Sequence, residues 1–257
     1  VPLHEGWIWL GCSLFGAIVW SIFYRILGRL NPQVTDNPPQ FFQIALQFFR
    51  LVYYLGIPFA ALLWGHDALV ARPFGLQPFA LPLGDRELYG PVIALNWRDW
   101  AGDVGWAVLL GALVCGVLGV AWLTSRRLPY TLWPIKGSDS STLLLLREAV
   151  YHEVHWAFYR HMPVVTLGLY WGVWCGLGLV TLEAMLNPAW YSDLSDPSRA
   201  PERLMRASMA IVSTLLFLKT ENLWLAVLLH WIVSRALVGL VRTFPGCRND
   251  VHSATPL

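Results

Sequence analysis

Charge is what this sequence has least of. Asp, Glu, Lys and Arg make up only 13% of its 257 residues, about half the share of an ordinary soluble domain. A soluble globule of this length needs polar residues to cover its surface, so the composition argues against that class. The net charge of +2 is small and no basic cluster is dense enough to track phosphates, which removes nucleic acid as a partner. Cysteine is sparse too. Cys12, Cys115, Cys175 and Cys247 are scattered without CxxC spacing, and three lie inside apolar runs. They read as small buried hydrophobes, with no disulfide and no metal expected. No run alternates with period two, so a barrel is not expected. There is no internal repeat and no low-complexity tract, and a single domain over residues 1–257 is the simplest division.

What the chain has instead is apolar length. Hydrophobic residues form 56% of it and the mean hydropathy is +0.50. Six apolar runs stand out: Trp7–Leu27, Phe48–Trp64 with Phe41–Gln47 as an interfacial lead-in, Val104–Thr124, Val164–Met185, Leu204–Leu218 and Leu223–Val241. Most approach the roughly 20 residues that carry a helix across about 30 Å of hydrocarbon. Many of the 15 Trp flank these runs, where an indole sits well at headgroup level. No basic stretch precedes the first run and no small-x-small site follows it, so it is expected to be a retained span rather than a signal peptide. The chain starts at Val1, and an initiator methionine or short leader is expected to be missing from it.

A seventh segment, Thr142–His161, is long enough to span but carries Arg147, Glu148, His152, Glu153, His155 and Arg160. The positive-inside rule decides its place. If it spans, with the N-terminus outside, the inner side holds ten basic residues: Arg25, Arg29, Arg126, Arg127, Lys136, Arg199, Arg203, Arg206, Arg242 and Arg248. The outer side then holds five: Arg72, Arg86, Arg98, Arg160 and Lys219. If it lies on the inner surface, the tally becomes eight against eight. The expected fold is therefore all-α, a polytopic transmembrane bundle of about seven spans, six clear and one polar. The reading places it in a bacterial plasma membrane with the C-terminus in the cytoplasm. Residues 65–103 are expected to form an external loop, Asn187–Glu202 a polar, Pro-punctuated turn region, and residues 243–257 a flexible tail.

Ionisable residues inside a membrane segment are costly, so each is a candidate for function. Glu148, His152, His155 and Tyr159 follow one another at spacings of four, three and four, which puts them along one face of a helix. Two imidazoles and a carboxylate on one stripe suit proton exchange or a divalent metal, although HEVH falls one residue short of HExxH. Glu153 lies on a neighbouring face and reaches towards Arg160. The bland alternative is that Arg147 and Arg160 neutralise the two glutamates and lock this helix against its neighbours. His230 sits midway along the last run, with Ser234 on its face and Arg235 beyond. Arg50 is expected to snorkel to the inner interface. Gly168, Gly172 and Gly176 form a double GxxxG, a strip on which another helix can pack closely.

The stretch FLKTENLWLAVLLHWIVS resembles the closing motif of the CPBP family, intramembrane proteases that process CAAX proteins and bacteriocins. Thr220, Leu223, Trp224, Leu229 and His230 match, and Ser234 stands where members commonly carry Asn. HEVHWAFYR is loosely similar to the family's paired-glutamate motif. Arg160 fits, but His155 and Trp156 stand where the two glutamates should, with Glu153 two or three residues early. Tyr170–Trp174 is the nearest match to the middle Phe-x-x-x-His motif, and Trp174 cannot replace its histidine. The resemblance covers about the last 120 residues. It implies a helical bundle with a wet cavity, in which a glutamate and histidines activate water against a peptide carbonyl.

Two functions follow. A degenerate member would act without cleavage, as a structural or accessory subunit among other membrane proteins in the lipid bilayer. A divergent endopeptidase would use Glu153 or Glu148 with His152, His155 and His230. A pigment- or quinone-associated subunit, with His230 as ligand, is a third reading, and the sequence names no cofactor. The endopeptidase needs a glutamate that shares an open, wet cavity with His230, within about 5–6 Å, the reach of one bridging water. A packed site with each carboxylate held by an arginine counts against it.

Overall fold

A computed structural model describes residues 3–30, 39–64, 74–76, 97–125, 141–196 and 199–243. Most of the expected external loop and the C-terminal tail lie outside these residues. So do several of the basic residues on which the expected orientation rests, Arg126, Arg127 and Lys136 among them.

All regular structure among the described residues is helical, as expected. Helices α1 (Leu3–Leu30), α2 (Gln40–Leu51), α3 (Ile57–Trp64) and α4 (Trp97–Ser125) come first, with a π-helical turn, Val52–Gly56, joining α2 to α3. The remainder are α5 (Thr142–Leu167), α6 (Leu169–Leu186), α7 (Pro188–Ser195), α8 (Ala200–Thr220) and α9 (Leu223–Thr243). Among the described residues, five stretches are long and apolar enough to cross a membrane: Glu5–Leu30, Gln40–Ala61, Trp100–Thr124, Leu169–Leu186 and Leu223–Leu240. The polar α5 and the charge-headed α8 fall outside that set, yet both are long and α5 is the most enclosed helix of all.

From Tyr151 to Pro163, α5 is buried at every position but Val154. One core, built from Val114, Leu216, Leu229 and Val233, lies between α4, α8 and α9 and takes in Trp156. A second joins Ala157, Phe158 and Tyr159 to Ala61, Leu223 and Val227. The helices run in alternating directions around α5. A Cβ on Gly6 would strike Met162, and Ser13 lies 3.3 Å from Tyr159, so α1 is antiparallel to α5. Arg50 meets Glu148 and Tyr53 meets Tyr159, so the α2–α3 rod runs parallel to it.

Three local features depart from the sequence expectation. The run Val164–Met185 is divided: α5 continues through Pro163 to Leu167, and Gly168, at φ +79° and ψ 169°, turns the chain into α6. That backbone region is essentially glycine's alone. Gly168 is therefore the bend rather than part of the strip. Gly172 and Gly176 form the close contact, since added Cβ atoms would come within 2.3 Å of Val164 Cα and 2.4 Å of Arg160 Cβ. The partner helix is α5 of the same chain. Within the expected turn region Asn187–Glu202, Pro188–Ser195 is helical. Its buried Asp193 accepts from Arg199 at 3.1 Å and from Arg203 Nε at 2.9 Å, which ties α7 to the start of α8.

Candidate functional site

A carboxylate at the centre of an apolar bundle must have partners. Glu153, fully buried at 0% exposure, has two. His230 Nδ1 of α9 lies 2.9 Å from its Oε1, and the Ser213 hydroxyl of α8 donates to its Oε2. Ser213 in turn accepts from Arg160 Nη1 at 3.4 Å. With Glu153 ionised, Nδ1 of His230 carries the hydrogen, and Nε2 keeps a lone pair that can take a proton.

His230 itself is 3% exposed and sits in an aromatic slot. His152 is nearly parallel to it at a ring separation of 6.0 Å, and Trp156 lies against it at 5.6 Å. Nε2 of His152 is buried without a protein partner. The Arg160 guanidinium rests 4.0 Å from the centre of the Phe217 ring, its Nε and Nη2 also without partners. A cavity of about 10 Å3 adjoins it, lined by Trp156, Gly176 and Thr214 among others. That is room for one water at most.

A second imidazole–carboxylate pair lies one turn further round α5. His155 Nε2 is 2.9 Å from Oε2 of Glu183, and the Tyr53 hydroxyl donates to Oε1 of the same carboxylate at 2.8 Å. Tyr53 also meets Tyr159 at 3.2 Å. The π turn makes this possible. By widening the helix it turns two consecutive tyrosines to the interior, Tyr53 towards Glu183 and Tyr54 towards the rings of His152 and His155, at 5.4 and 5.1 Å. Such turns collect at functional sites. The sequence reading does not single out Glu183, although it is the one charged residue in the run Val164–Met185, which is a usable signal.

Glu148 belongs to neither pair. It accepts from Arg50 at 2.5 Å and from Arg147 at 3.0 Å. Arg50, expected to snorkel to the inner interface, bonds this carboxylate. The expected stripe of Glu148, His152, His155 and Tyr159 thus divides among three neighbourhoods, because different helices cover α5 along its length. Only His155 and Tyr159 stay in contact, at a ring separation of 4.3 Å. Arg147 pairs with Glu148 as read from the sequence, whereas Arg160 reaches Glu153 only through Ser213. Of the other motif residues, Ser234 is buried and Arg235 exposed, while Tyr170 is exposed at the start of α6. Among the described residues, no group of three or more His, Cys, Asp or Glu is arranged to hold a metal ion.

Comparison with known proteins assigns no family. No family model matches the chain, and no curated protein or solved structure does. The apolar helices make it a membrane protein; its chemistry has to be read from the residues.

Proposed function

We propose that this chain is a divergent, CPBP-like intramembrane hydrolase with Glu153 and His230 at its centre. The single observation that carries the reading is the 2.9 Å contact between them. The family resemblance couples a polar helix to the closing Leu-His motif, and that contact joins the same two segments. In this reading α5 and α8 also span, giving seven crossings of a bacterial plasma membrane with the N-terminus outside.

The chemistry follows from the tautomer. Glu153 holds Nδ1–H of His230 and orients the ring, and Nε2 accepts a proton from water as its oxygen bonds to the peptide carbonyl carbon. The same proton then passes to the leaving amine as the C–N bond breaks. The unpartnered Nε2 of His152 is the nearest second imidazole to assist. Ser213, itself held by Arg160, keeps the other carboxylate oxygen occupied, so Glu153 stays in place. Arg160 bonds Ser213 rather than Glu153 itself.

One observation favours a second reading, a non-catalytic subunit of a larger membrane complex. The pair is enclosed and the neighbouring cavity admits one water at most, so substrate entry requires α5, α8 and α9 to part. A single experiment separates the two. Membrane proteins of a host lacking the chain are compared by terminal proteomics after complementation with wild type, Glu153→Gln or His230→Ala at matched levels. New termini that appear only with wild type support the hydrolase. Identical termini in all three, with an altered set of co-purifying proteins, would sink it in favour of the subunit.

A further inference from the structure

The charge cluster at the start of α5 plays no part in the Glu153–His230 pair. Arg50 and Arg147 both bond Glu148. Two guanidiniums against one carboxylate leave one positive charge over. Tyrosine rings hold the arginines in place: Arg50 lies 6.0 Å from the Tyr54 ring and 5.9 Å from that of Tyr151, and Arg147 lies 5.8 Å from Tyr151. Side chains of Arg50 and Arg147 are nonetheless 33% and 37% exposed. Nε of Arg147 is buried without a partner. The cluster is set in position with donors to spare.

Helix α2 indicates what reaches it. Gln40, Gln43, Gln47 and Arg50 recur at spacings of three, four and three, one face of the helix, and the three glutamines are exposed. Phe41, Ile44 and Phe48 are exposed on the rest of the helix, and no residue of α2 is buried. Phe41–Gln47 reads as the interfacial lead-in to a crossing that α3 completes, its apolar side among acyl chains. The polar stripe leads from that end to Arg50, a path by which a headgroup reaches the arginines.

We propose that Arg50 and Arg147 form a binding site for the phosphate of an anionic phospholipid, with Glu148 as the internal counter-ion competing for the same donors. Planar guanidiniums present paired N–H groups to phosphate oxygens, and a headgroup of net negative charge neutralises the charge left over. This assignment does not depend on the hydrolase reading.

Native mass spectrometry of the detergent-purified chain tests it, with phosphatidylglycerol, phosphatidylcholine and inorganic phosphate as probes. Wild type is expected to retain phosphatidylglycerol over phosphatidylcholine. Retention falls roughly ten-fold in Arg50→Gln/Arg147→Gln, the scale of a lost charge-assisted hydrogen bond. Glu148→Gln raises it, because the competing carboxylate is gone. Misfolding cannot produce opposite changes in the two variants. Equal retention of both lipids, or variants that change together, overturns the site. Displacement of the lipid by millimolar phosphate overturns the lipid assignment.

Discussion

At the scale of single residues, the Glu153–His230 contact is an interaction that cannot be halved without cost. Removing Glu153 leaves two buried donors, Nδ1–H of His230 and the Ser213 hydroxyl, without an acceptor, at about 1–3 kcal/mol each. Glu153→Ala is therefore expected to destabilise the chain by that order, whereas Glu153→Gln keeps an acceptor for His230 and loses about 1–3 kcal/mol. Denaturant titration in detergent micelles, followed by tryptophan fluorescence, reads the difference. Equal losses in the two variants would mean that the carboxylate is not a hydrogen-bond partner at all. Glu153 and His230 were legible from the sequence because an ionisable group in an apolar helix stands out by its cost. Ser213 and Tyr53 were not, since a hydroxyl in such a helix can bond its own backbone and need not mark a site. Glu183 carried the same signal as Glu153. A single carboxylate near the end of a long apolar run leaves its hydropathy that of a span, so the cost of burying it does not show.

At the scale of elements, the α5–α6 pair separates two uses of glycine. Gly176 lies against α5 backbone, where a Cβ would sit 2.6 Å from Arg160 Cα with no flexible chain end to give way. Gly176→Ala is expected to cost at least about 2 kcal/mol through overpacking. Gly178, on the same helix, has nothing within 4 Å, and Gly178→Ala should leave stability unchanged within about 0.5 kcal/mol. Unfolding of the two variants in the same micelles checks this, and equal effects would place α6 elsewhere. Helix positions were largely readable from apolar runs, because lipid demands about one span's length of apolar residues. The break at Gly168 was not, because the residues on both sides are equally apolar and hydropathy does not register a change of direction. The π turn at Val52–Gly56 was hidden for a related reason. One extra residue in a helical turn alters which side chains face inwards without altering composition.

For the molecule as a whole, the number of crossings depends on α5 and α8. If both span, Ser195 at the end of α7 and Glu221 at the end of α8 lie on opposite sides of the membrane. In a background without Cys12, Cys115, Cys175 and Cys247, Ser195→Cys is expected to react with an impermeant maleimide only in inverted vesicles, and Glu221→Cys only in intact spheroplasts. Labelling of both from the same side would reduce the count and end the seven-span reading. The apolar bulk of the chain made membrane residence plain from composition. Sidedness is harder to read, because it depends on a few basic residues in connections whose contribution to the rule weakens as they lengthen.

The distance in sequence between Glu153 and His230 has a consequence for how the chain is made. They are 77 residues apart, and at about 5–20 residues per second a ribosome needs roughly 4–15 seconds to supply the second after the first. During that interval the nascent α5 holds a carboxylate whose imidazole partner does not yet exist. Its neighbours Ser213 and Arg160 do not close the gap, since Ser213 too is still to come. The insertion machinery must therefore shelter α5 beside the translocon, or leave it at the interface, until α9 emerges. A chain cut short before α9 would keep that carboxylate without its imidazole, and α5 would stay costly to hold in the bilayer.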